Sequence, residues 1–262
     1  MSAAPLNNVS LEIVDRKAVV TFTREERLNA LNGETFRELI ALAHDLEEDD
    51  AVGLVILTGA GRAFVAGADI TEYRDRTLLE YVAFQRLGRR LYDHLERFRK
   101  PVIAAVNGFA LGGGFELVLV ADIVIASDRA KLGLPEVKLG LLPGGGGTQR
   151  LTRLVGRNKA KELLMTGDFL TAAEARDLGI VNQVVAGDEL MTATHALADR
   201  ILAGAPLAVQ MAKQLVNDGL DASLATAITQ EMGMTATLYA TDDAQEGIGA
   251  FIEKRSPLFV GK

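Results

Sequence analysis

Short apolar runs alternate with amphipathic stretches along most of the chain. Alternation over residues 9–14 and 18–22 predicts a hairpin of two strands, and a helix is predicted to follow from Asn32 to about Leu46. A second helix is predicted over 78–97. Further strands are predicted at 54–57, 101–106, 123–126 and 181–185. Strands repeatedly followed by helices indicate an α/β architecture whose sheets are covered by helices.

The pattern changes to helices alone from Asp188 onward. Pro206 suits the first turn of a helix with one apolar face, and another apolar helix is predicted over 223–238. So much apolar surface on a terminal helical segment fits docking on a neighbouring subunit. Packing of these helices on the chain's own core is the simpler alternative.

One carboxylate, Glu116, lies alone in the apolar stretch 108–122. An ionised carboxylate buried there costs several kcal/mol unless other groups compensate for it. The glycines at 112–114 precede it at a predicted helix start, where bare backbone N–H groups are available to an anion or a developing oxyanion. A buried acid beside free backbone N–H donors indicates a catalytic site. The alternative is a structural glutamate paired with an arginine or lysine elsewhere in the chain.

Composition restricts the chemistry further. The 262 residues suffice for one large domain, and the formal net charge of −7 argues against a general nucleic-acid-binding surface. The absence of cysteine excludes disulfides and thiolate catalysis, and the three histidines lack the spacing of common metal motifs. No apolar run is long enough to span a bilayer, and the first residues lack a signal or transit pattern. We therefore expect a cytoplasmic protein without membrane or nucleic-acid partners.

Two glycine clusters are candidate phosphate loops, and neither has the required pattern. Residues 59–64 have Phe64 where a dinucleotide fingerprint needs its third glycine, and residues 143–150 lack the lysine of a Walker loop. The second cluster is better interpreted as a flexible turn that leads into a helix near 148–154.

Three segments resemble those of the enoyl-CoA hydratase (crotonase) family in sequence, order and spacing: residues 63–70, residues 108–122, and residues 133–136 with 140–150 beyond them. The resemblance covers nearly the whole chain, as far as the tail at 251–255. It implies an α/β crotonase-like spiral of repeated β-β-α units with a C-terminal all-helical oligomerisation region. The implied division is a catalytic domain over 1–200 and a helical region over 201–262.

The resemblance also implies a role for each matching residue. The backbone N–H groups of Ala68 and Gly113 would form an oxyanion hole for a thioester oxygen, with Glu116 and Glu136 as the acid/base pair. Glu116 would activate water and Glu136 would donate a proton. From the residues alone, Glu136 after Pro135 is equally well a first-turn helix residue that interacts with the helix dipole.

Coenzyme A binding is implied for a wider set of residues: Arg27, Leu28, Ala30, Arg62, Ala66, Gly67, Asp69, Ile70, Leu142 and Lys254. Lys254 would reach the phosphates in the site of its own or of an adjacent subunit, unless it is a solvated charge of the tail. Some relatives carry a lysine where this chain has Thr71, so one phosphate contact is expected to be missing or replaced. Residues 71–87, including Tyr81 and Phe84, are expected to form the acyl pocket wall with Leu142 and Phe251.

The implied activity is hydration of a trans-2-enoyl-CoA to a 3-hydroxyacyl-CoA. An enoyl-CoA isomerase of the same superfamily is the first alternative, and a non-catalytic oligomeric member is the second. Acids at both Glu116 and Glu136 favour hydration, because an isomerase usually needs one carboxylate and a member that lost catalysis should have lost an acid. The substrate carries the coenzyme A, so no cofactor or metal is expected. The expected assembly is a homo-oligomer, a trimer or a dimer of trimers.

Overall fold

The computed structural model describes residues 6–262. Its strands are β1 (Val9–Val14), β2 (Lys17–Phe22), β3 (Leu54–Gly59), β4 (Ala63–Val65), β5 (Val102–Val106), β6 (Phe109–Leu111), β7 (Ile123–Ser127), β8 (Lys131–Gly133), β9 (Leu170–Thr171) and β10 (Gln183–Val185). Its α-helices are α1 (Gly33–Glu48), α2 (Leu78–Arg97), α3 (Gly113–Val120), α4 (Gly147–Val155), α5 (Arg157–Thr166), α6 (Ala172–Asp177), α7 (Leu190–Leu202), α8 (Pro206–Gly219), α9 (Leu224–Tyr239) and α10 (Asp242–Glu253). Short 3₁₀ helices lie at Glu25–Arg27, Ile70–Glu72, Pro135–Leu139 and Gly187–Glu189.

Four consecutive β-β-α units lead from β1 to α4. In the second, third and fourth units, the first strand joins a six-stranded sheet of order β1-β2-β3-β5-β7-β10. The second strand of each of these units joins a four-stranded sheet of order β4-β6-β8-β9. Neighbours from β2 to β10 and from β4 to β8 are parallel, so the chain must cross over between them, and the helices lie in these crossovers. The predicted fold class is confirmed.

The central strands β3 and β5 are buried on both faces, and their successive side chains point to opposite sides of the sheet. On β3, Val55 and Leu57 belong to the main core with residues of α1, α2 and α3. Leu54 and Ile56 belong to a second core with residues of α7. This two-sided burial explains the uninterrupted apolar runs of β3 and β5 in the sequence.

The predicted elements are confirmed, with differences at their ends. The first helix begins one residue after its N-cap Asn32, whose side chain accepts a hydrogen bond from the Thr35 N–H at 2.8 Å. The last strand is shorter than the predicted 181–185, because the Val181 N–H donates to the Ala175 carbonyl at the end of α6. Pairing with β7 therefore starts only at Gln183.

Helices α8 to α10 follow the sheets, with Pro206 in the first turn of α8 as predicted. One contact of α8 with the body is a buried ion pair, in which the Lys213 ammonium lies 2.8 Å from an Asp122 carboxylate oxygen. Neither α8 nor α9 has a fully buried residue. The three helices and the tail instead expose large apolar side chains: Val216, Leu220, Leu224, Ile228, Met232, Tyr239, Ile248, Phe251, Ile252, Leu258 and Val260.

Candidate active site

Three parallel strands of the four-stranded sheet end at the same edge and place the predicted site residues there. The chain passes from β4 into Ala66–Ala68, from β6 into the glycines that begin α3, and from β8 into the 3₁₀ helix that carries Glu136. The carboxyl ends of parallel strands are the usual position of ligand sites in open α/β sheets. Segments that are distant along the chain therefore meet in one cavity, which Ala68, Gly113, Glu116 and Glu136 all line.

The two predicted oxyanion-hole amides lie side by side. A Cβ atom placed on Gly113 would lie 3.8 Å from the Ala68 nitrogen. Within residues 6–262, neither the Ala68 N–H nor the Gly113 N–H donates a hydrogen bond to a protein acceptor. The segment around Ala68 is fixed by Leu31, which donates to the Gly67 carbonyl at 2.9 Å and accepts from the Asp69 N–H at 2.8 Å. The arrangement leaves two fixed donors free for one oxygen atom.

Glycine is required next to this pair because α3 packs directly on β4. A Cβ atom at Gly114 would collide with the Val65 carbonyl oxygen. The phenol of Tyr92, which is buried on α2, donates to the Gly113 carbonyl at 3.1 Å. Backbone packing and this hydrogen bond together hold the start of α3 in place.

Glu116 is 4% exposed, and backbone amides of the second glycine cluster compensate for its burial. Its Oε1 accepts hydrogen bonds from the Gly145 N–H at 2.7 Å and the Gly147 N–H at 2.8 Å. Burial raises the pKa of Glu116, while these two N–H groups and the positive charge of Arg150 oppose the rise. Within the described chain no arginine or lysine forms an ion pair with Glu116, so the pairing expected of a structural glutamate is not found there. Its Oε2 is left without a hydrogen bond from residues 6–262 and is available to a ligand.

Glu136 lies in the first turn of the 3₁₀ helix Pro135–Leu139, a position predicted from the residues alone. Its side chain also lines the cavity. Its Oε2 is buried and has no hydrogen-bond partner in the described chain. Burial, reinforced by the nearby Glu116 carboxylate, raises the pKa of Glu136 to about 7. An unpartnered oxygen in this environment favours the neutral acid, so Glu136 can hold a proton near neutral pH.

Aromatic side chains form one wall of the cavity. Tyr73 contacts Tyr81 and Phe84 edge to face, each at 5.4 Å between ring centroids, and Phe84 contacts Phe36 at the same distance. Pro135 and several leucines also line the cavity: Leu111, Leu139, Leu141 and Leu142. Tyr81, Phe84 and Leu142 line this cavity, and their contact with an acyl chain stays a prediction. Phe251 does not line it in the described chain, where that side chain is 86% exposed.

The predicted CoA-binding residues fall into two groups. Ala66, Gly67, Ile70 and Leu142 line the cavity. The others lie outside the lining of this cavity: Arg27, Leu28, Ala30, Arg62, Asp69 and Lys254.

The second group has varied surroundings. The Asp69 carboxylate pairs with Arg24 at 3.0 Å and accepts a hydrogen bond from the Thr71 hydroxyl. Arg62 is exposed on the turn before β4. Lys254 is exposed at the end of α10, so its contact with CoA stays a prediction.

The sequence interpretation missed the role of the glycines at 144–147. A flexible turn into a helix was predicted, and the helix is present as α4, but the turn is also the hydrogen-bond donor to Glu116. Its signal was the same as at 112–114: glycines directly before a helix expose backbone N–H groups. Tyr92, which contacts both glycine segments, was missed as well.

Residues 6–262 contain no group of three or more histidine, aspartate or glutamate side chains placed to hold one metal ion. None of the described helices combines the length and the apolar character needed to cross a membrane.

Comparisons with known proteins agree with this geometry. A family model described as enoyl-CoA hydratase/isomerase matches residues 14–262. A short-chain-enoyl-CoA hydratase from Clostridium acetobutylicum is 47% identical over 251 residues, which cover 95% of this chain and 96% of that protein. A crotonyl-CoA hydratase from Syntrophomonas wolfei is 44% identical over 256 residues, which cover 97% of this chain and 98% of that protein.

Solved structures give the same result. The crystal structure of an enoyl-CoA hydratase from Bacillus anthracis matches with a TM-score of 0.95 at 37% identity, covering 98% of this chain and 100% of that one. Sequence and fold therefore agree over nearly the full length of the chain. The chain belongs to the enoyl-CoA hydratase/isomerase family.

Proposed function

We propose that the chain adds water to the double bond of a short-chain trans-2-enoyl-CoA and forms the 3-hydroxyacyl-CoA. One observation carries the proposal: two carboxylates, Glu116 and Glu136, line the same cavity as two free, adjacent backbone amides. Hydration needs both acids, one to activate water and one to protonate carbon. This pair favours hydration over isomerisation and over a non-catalytic role.

The amides of Ala68 and Gly113 would bind the thioester oxygen. Addition of water at the β carbon builds negative charge on that oxygen as an enolate forms. Two N–H groups fixed by the backbone stabilise this charge without reorganisation, and loss of one such donor typically costs about 3–4 kcal/mol. Since the donors belong to an alanine and a glycine, the thioester can approach closely.

The different environments of the two carboxyls support their separate roles. Glu116, held by two backbone N–H groups, would take the proton from water as the oxygen attacks the β carbon. Glu136, whose pKa is raised to about 7, would give its proton to the α carbon as the enolate collapses. One water is consumed, and the two carboxyls exchange protonation states. Proton exchange with water then restores them. These steps need no separate cofactor, because the substrate itself carries the coenzyme A.

The aromatic wall supports a short acyl chain. Phe84 is 5% exposed and is fixed by edge-to-face contacts with Phe36 and Tyr73. Close-packed rings of this kind do not yield easily to a longer chain. The names of the relatives from Clostridium acetobutylicum and Syntrophomonas wolfei also describe short substrates. The test is kcat/KM for 2-enoyl-CoA thioesters of increasing length. We expect a maximum at the shortest members, and a maximum at long chains would contradict this specificity.

The pH dependence of kcat/KM should show the raised pKa of Glu136. A proton donor works in its protonated form, so kcat/KM is expected to fall as the pH rises through about 7. Glu116 must be ionised, so kcat/KM also falls at low pH. The resulting profile is bell-shaped. Because the two carboxyls interact, its two apparent pKa values belong to the pair and not to either residue alone. A profile that stays flat through neutral pH and into the alkaline range would contradict the assigned proton donor.

We propose that Lys254 contributes to binding of the CoA phosphates. A polyanion that binds a chain of net charge −7 needs a local cation, because distant charges are screened within about 8 Å at physiological salt. We expect Lys254→Ala to raise KM for acyl-CoA and to leave kcat nearly unchanged, since the phosphates bind alike in ground and transition states. Lys161→Ala, also at an exposed lysine, is the control. Equal losses with a pantetheine thioester would rule out phosphate binding.

We propose a homo-oligomer, a trimer or a dimer of trimers, for the assembly. Support comes from the apolar side chains that α8 to α10 expose, among them Leu224 at 77% and Ile252 at 73%. A monomer rarely leaves so much apolar surface in water. Light scattering is expected to give three or six times the 28.0 kDa chain mass. A monomer at micromolar concentration would contradict the proposal. The cytoplasmic location and the 1–200 and 201–262 division remain predictions.

A further inference from the structure

The glycine turn that holds Glu116 needs support of its own. Four consecutive glycines, 144–147, have no side chains to anchor them, and glycine loses more backbone entropy on ordering than any other residue. Yet two of their N–H groups must remain within 2.7–2.8 Å of one carboxylate oxygen. Some other group must therefore fix the turn.

The Arg150 side chain supplies this support. It extends from the first turn of α4 back over the turn, and its Nη1 donates to the Gly145 carbonyl at 2.6 Å. It occupies the space that a side chain at Gly146 would fill. Arg150 is only 13% exposed, unlike Arg153 on the same helix, which is 53% exposed.

Glu96 holds the guanidinium in turn. Its two carboxylate oxygens accept from Nε at 2.7 Å and from Nη2 at 2.6 Å of Arg150, a bidentate geometry that fixes direction as well as distance. The Asn217 side chain of α8 donates to the Glu96 carbonyl at 2.9 Å and fixes the end of α2. The connected groups run from Glu96 through Arg150 and Gly145 to Glu116.

We propose that Arg150, clamped by Glu96, is a positioning residue that fixes the glycine turn and so aims the free oxygen of Glu116 at the water it activates. The inference rests on the proposed hydration. Arg150 makes no hydrogen bond to Glu116, and it acts through the Gly145 backbone and through its charge.

Several charged or titratable groups face Glu116 and must be separated in a test. Glu136 approaches from the 3₁₀ helix, Tyr73 from the segment after β4, Tyr92 from α2 and Arg150 from α4. Among these, Arg150 is the cation. Loss of its charge should therefore raise the pKa of Glu116 and move the acid limb of the kcat profile to higher pH, because the base acts in its ionised form.

The test compares Arg150→Gln, Arg150→Lys and Glu96→Gln with Arg153→Gln as the matched control. Misplacement of a reacting group by about 1 Å can cost 10²-fold, so we expect Arg150→Gln to lower kcat by about 10- to 100-fold with little change in KM. Its acid limb should move to higher pH. Arg150→Lys and Glu96→Gln both keep a cation at position 150 but lose the bidentate ion pair between residues 150 and 96. Their kcat should therefore fall, while the acid limb of the pH profile stays close to that of the wild type.

Two results would overturn the inference. In one, Arg150→Gln matches Arg153→Gln in kcat and pH profile. In the other, Glu96→Gln and Arg150→Lys both retain wild-type kcat, which would mean that Arg150 acts through its positive charge alone and does not position the turn. Circular dichroism checks folding, and the lysine and Glu96 variants decide the matter if Arg150→Gln does not fold.

A readout without turnover separates this inference from the proposed function. The carboxyl carbon of Glu116, assigned by its absence in Glu116→Gln, can be titrated by NMR in glutamate-labelled protein. Its midpoint should rise in Arg150→Gln and stay unchanged in Arg153→Gln. An unshifted midpoint together with unaltered kinetics overturns the role of Arg150. Failure of the wild type to hydrate any 2-enoyl-CoA overturns the proposed function instead.

Discussion

The Glu136→Gln variant is expected to lose about 10²–10⁴-fold in kcat for hydration while it still binds acyl-CoA. Glutamine has nearly the same size and cannot donate the acidic proton that a carboxyl with a pKa of about 7 holds near neutral pH. The Glu136 Oε2 has no hydrogen-bond partner in the described chain, so the exchange breaks no assigned bond of that atom. Steady-state kinetics with trans-2-butenoyl-CoA and calorimetric binding of saturated butanoyl-CoA measure the two quantities.

The control for this variant is Glu12→Gln, which changes an exposed carboxylate on β1. It should leave both turnover and binding unchanged. Near-wild-type turnover in Glu136→Gln would exclude Glu136 as the proton donor. A loss of binding equal to the loss of turnover would show that the residue holds the substrate rather than protonates it.

The Glu116→Gln variant is expected to show a loss of similar size, for a different reason. The amide oxygen of glutamine can still accept from the Gly145 and Gly147 N–H groups, so the turn should be retained. Its NH₂ group then replaces the free Oε2 and cannot take a proton from water. Rate, thermal stability and butanoyl-CoA binding of this variant separate lost chemistry from lost structure.

The double variant makes the paired role testable. Groups that act in one step give losses that do not add, so Glu116→Gln combined with Glu136→Gln should be little slower than the worse single variant. Losses that multiply would indicate independent roles. Wild-type turnover in Glu116→Gln would exclude Glu116 as the base.

Much of the fold could be predicted from the sequence, because period-2 and period-3.6 patterns follow directly from which faces are buried. Both faces of β3 are buried, with Val55 in one core and Leu54 in the other, and the sequence shows this as an uninterrupted apolar run. The ends of the strands and helices were predicted less accurately. β10 starts later than predicted because the Val181 N–H is used by the end of α6, a contact that no periodicity encodes.

The site was only partly visible. Glu116 could be identified as unusual because a lone acid in an apolar helix demands compensation. Ala68 and Glu136 required the family resemblance, because no local pattern distinguishes an alanine that offers its N–H or a first-turn glutamate that lines a cavity. The Gly145 and Gly147 donors lie 29 and 31 residues from Glu116 and have no side chains, so their role emerged only when the fold brought them together.

The most direct test of the central claim is the product that the purified wild-type protein forms from trans-2-butenoyl-CoA. We predict loss of the absorbance of the conjugated enoyl thioester, with a product heavier by one water molecule and with the hydroxyl group on the β carbon. With ¹⁸O-labelled water, the label should appear in that hydroxyl group. A product of unchanged mass with a shifted double bond, or no reaction at all, would contradict the account.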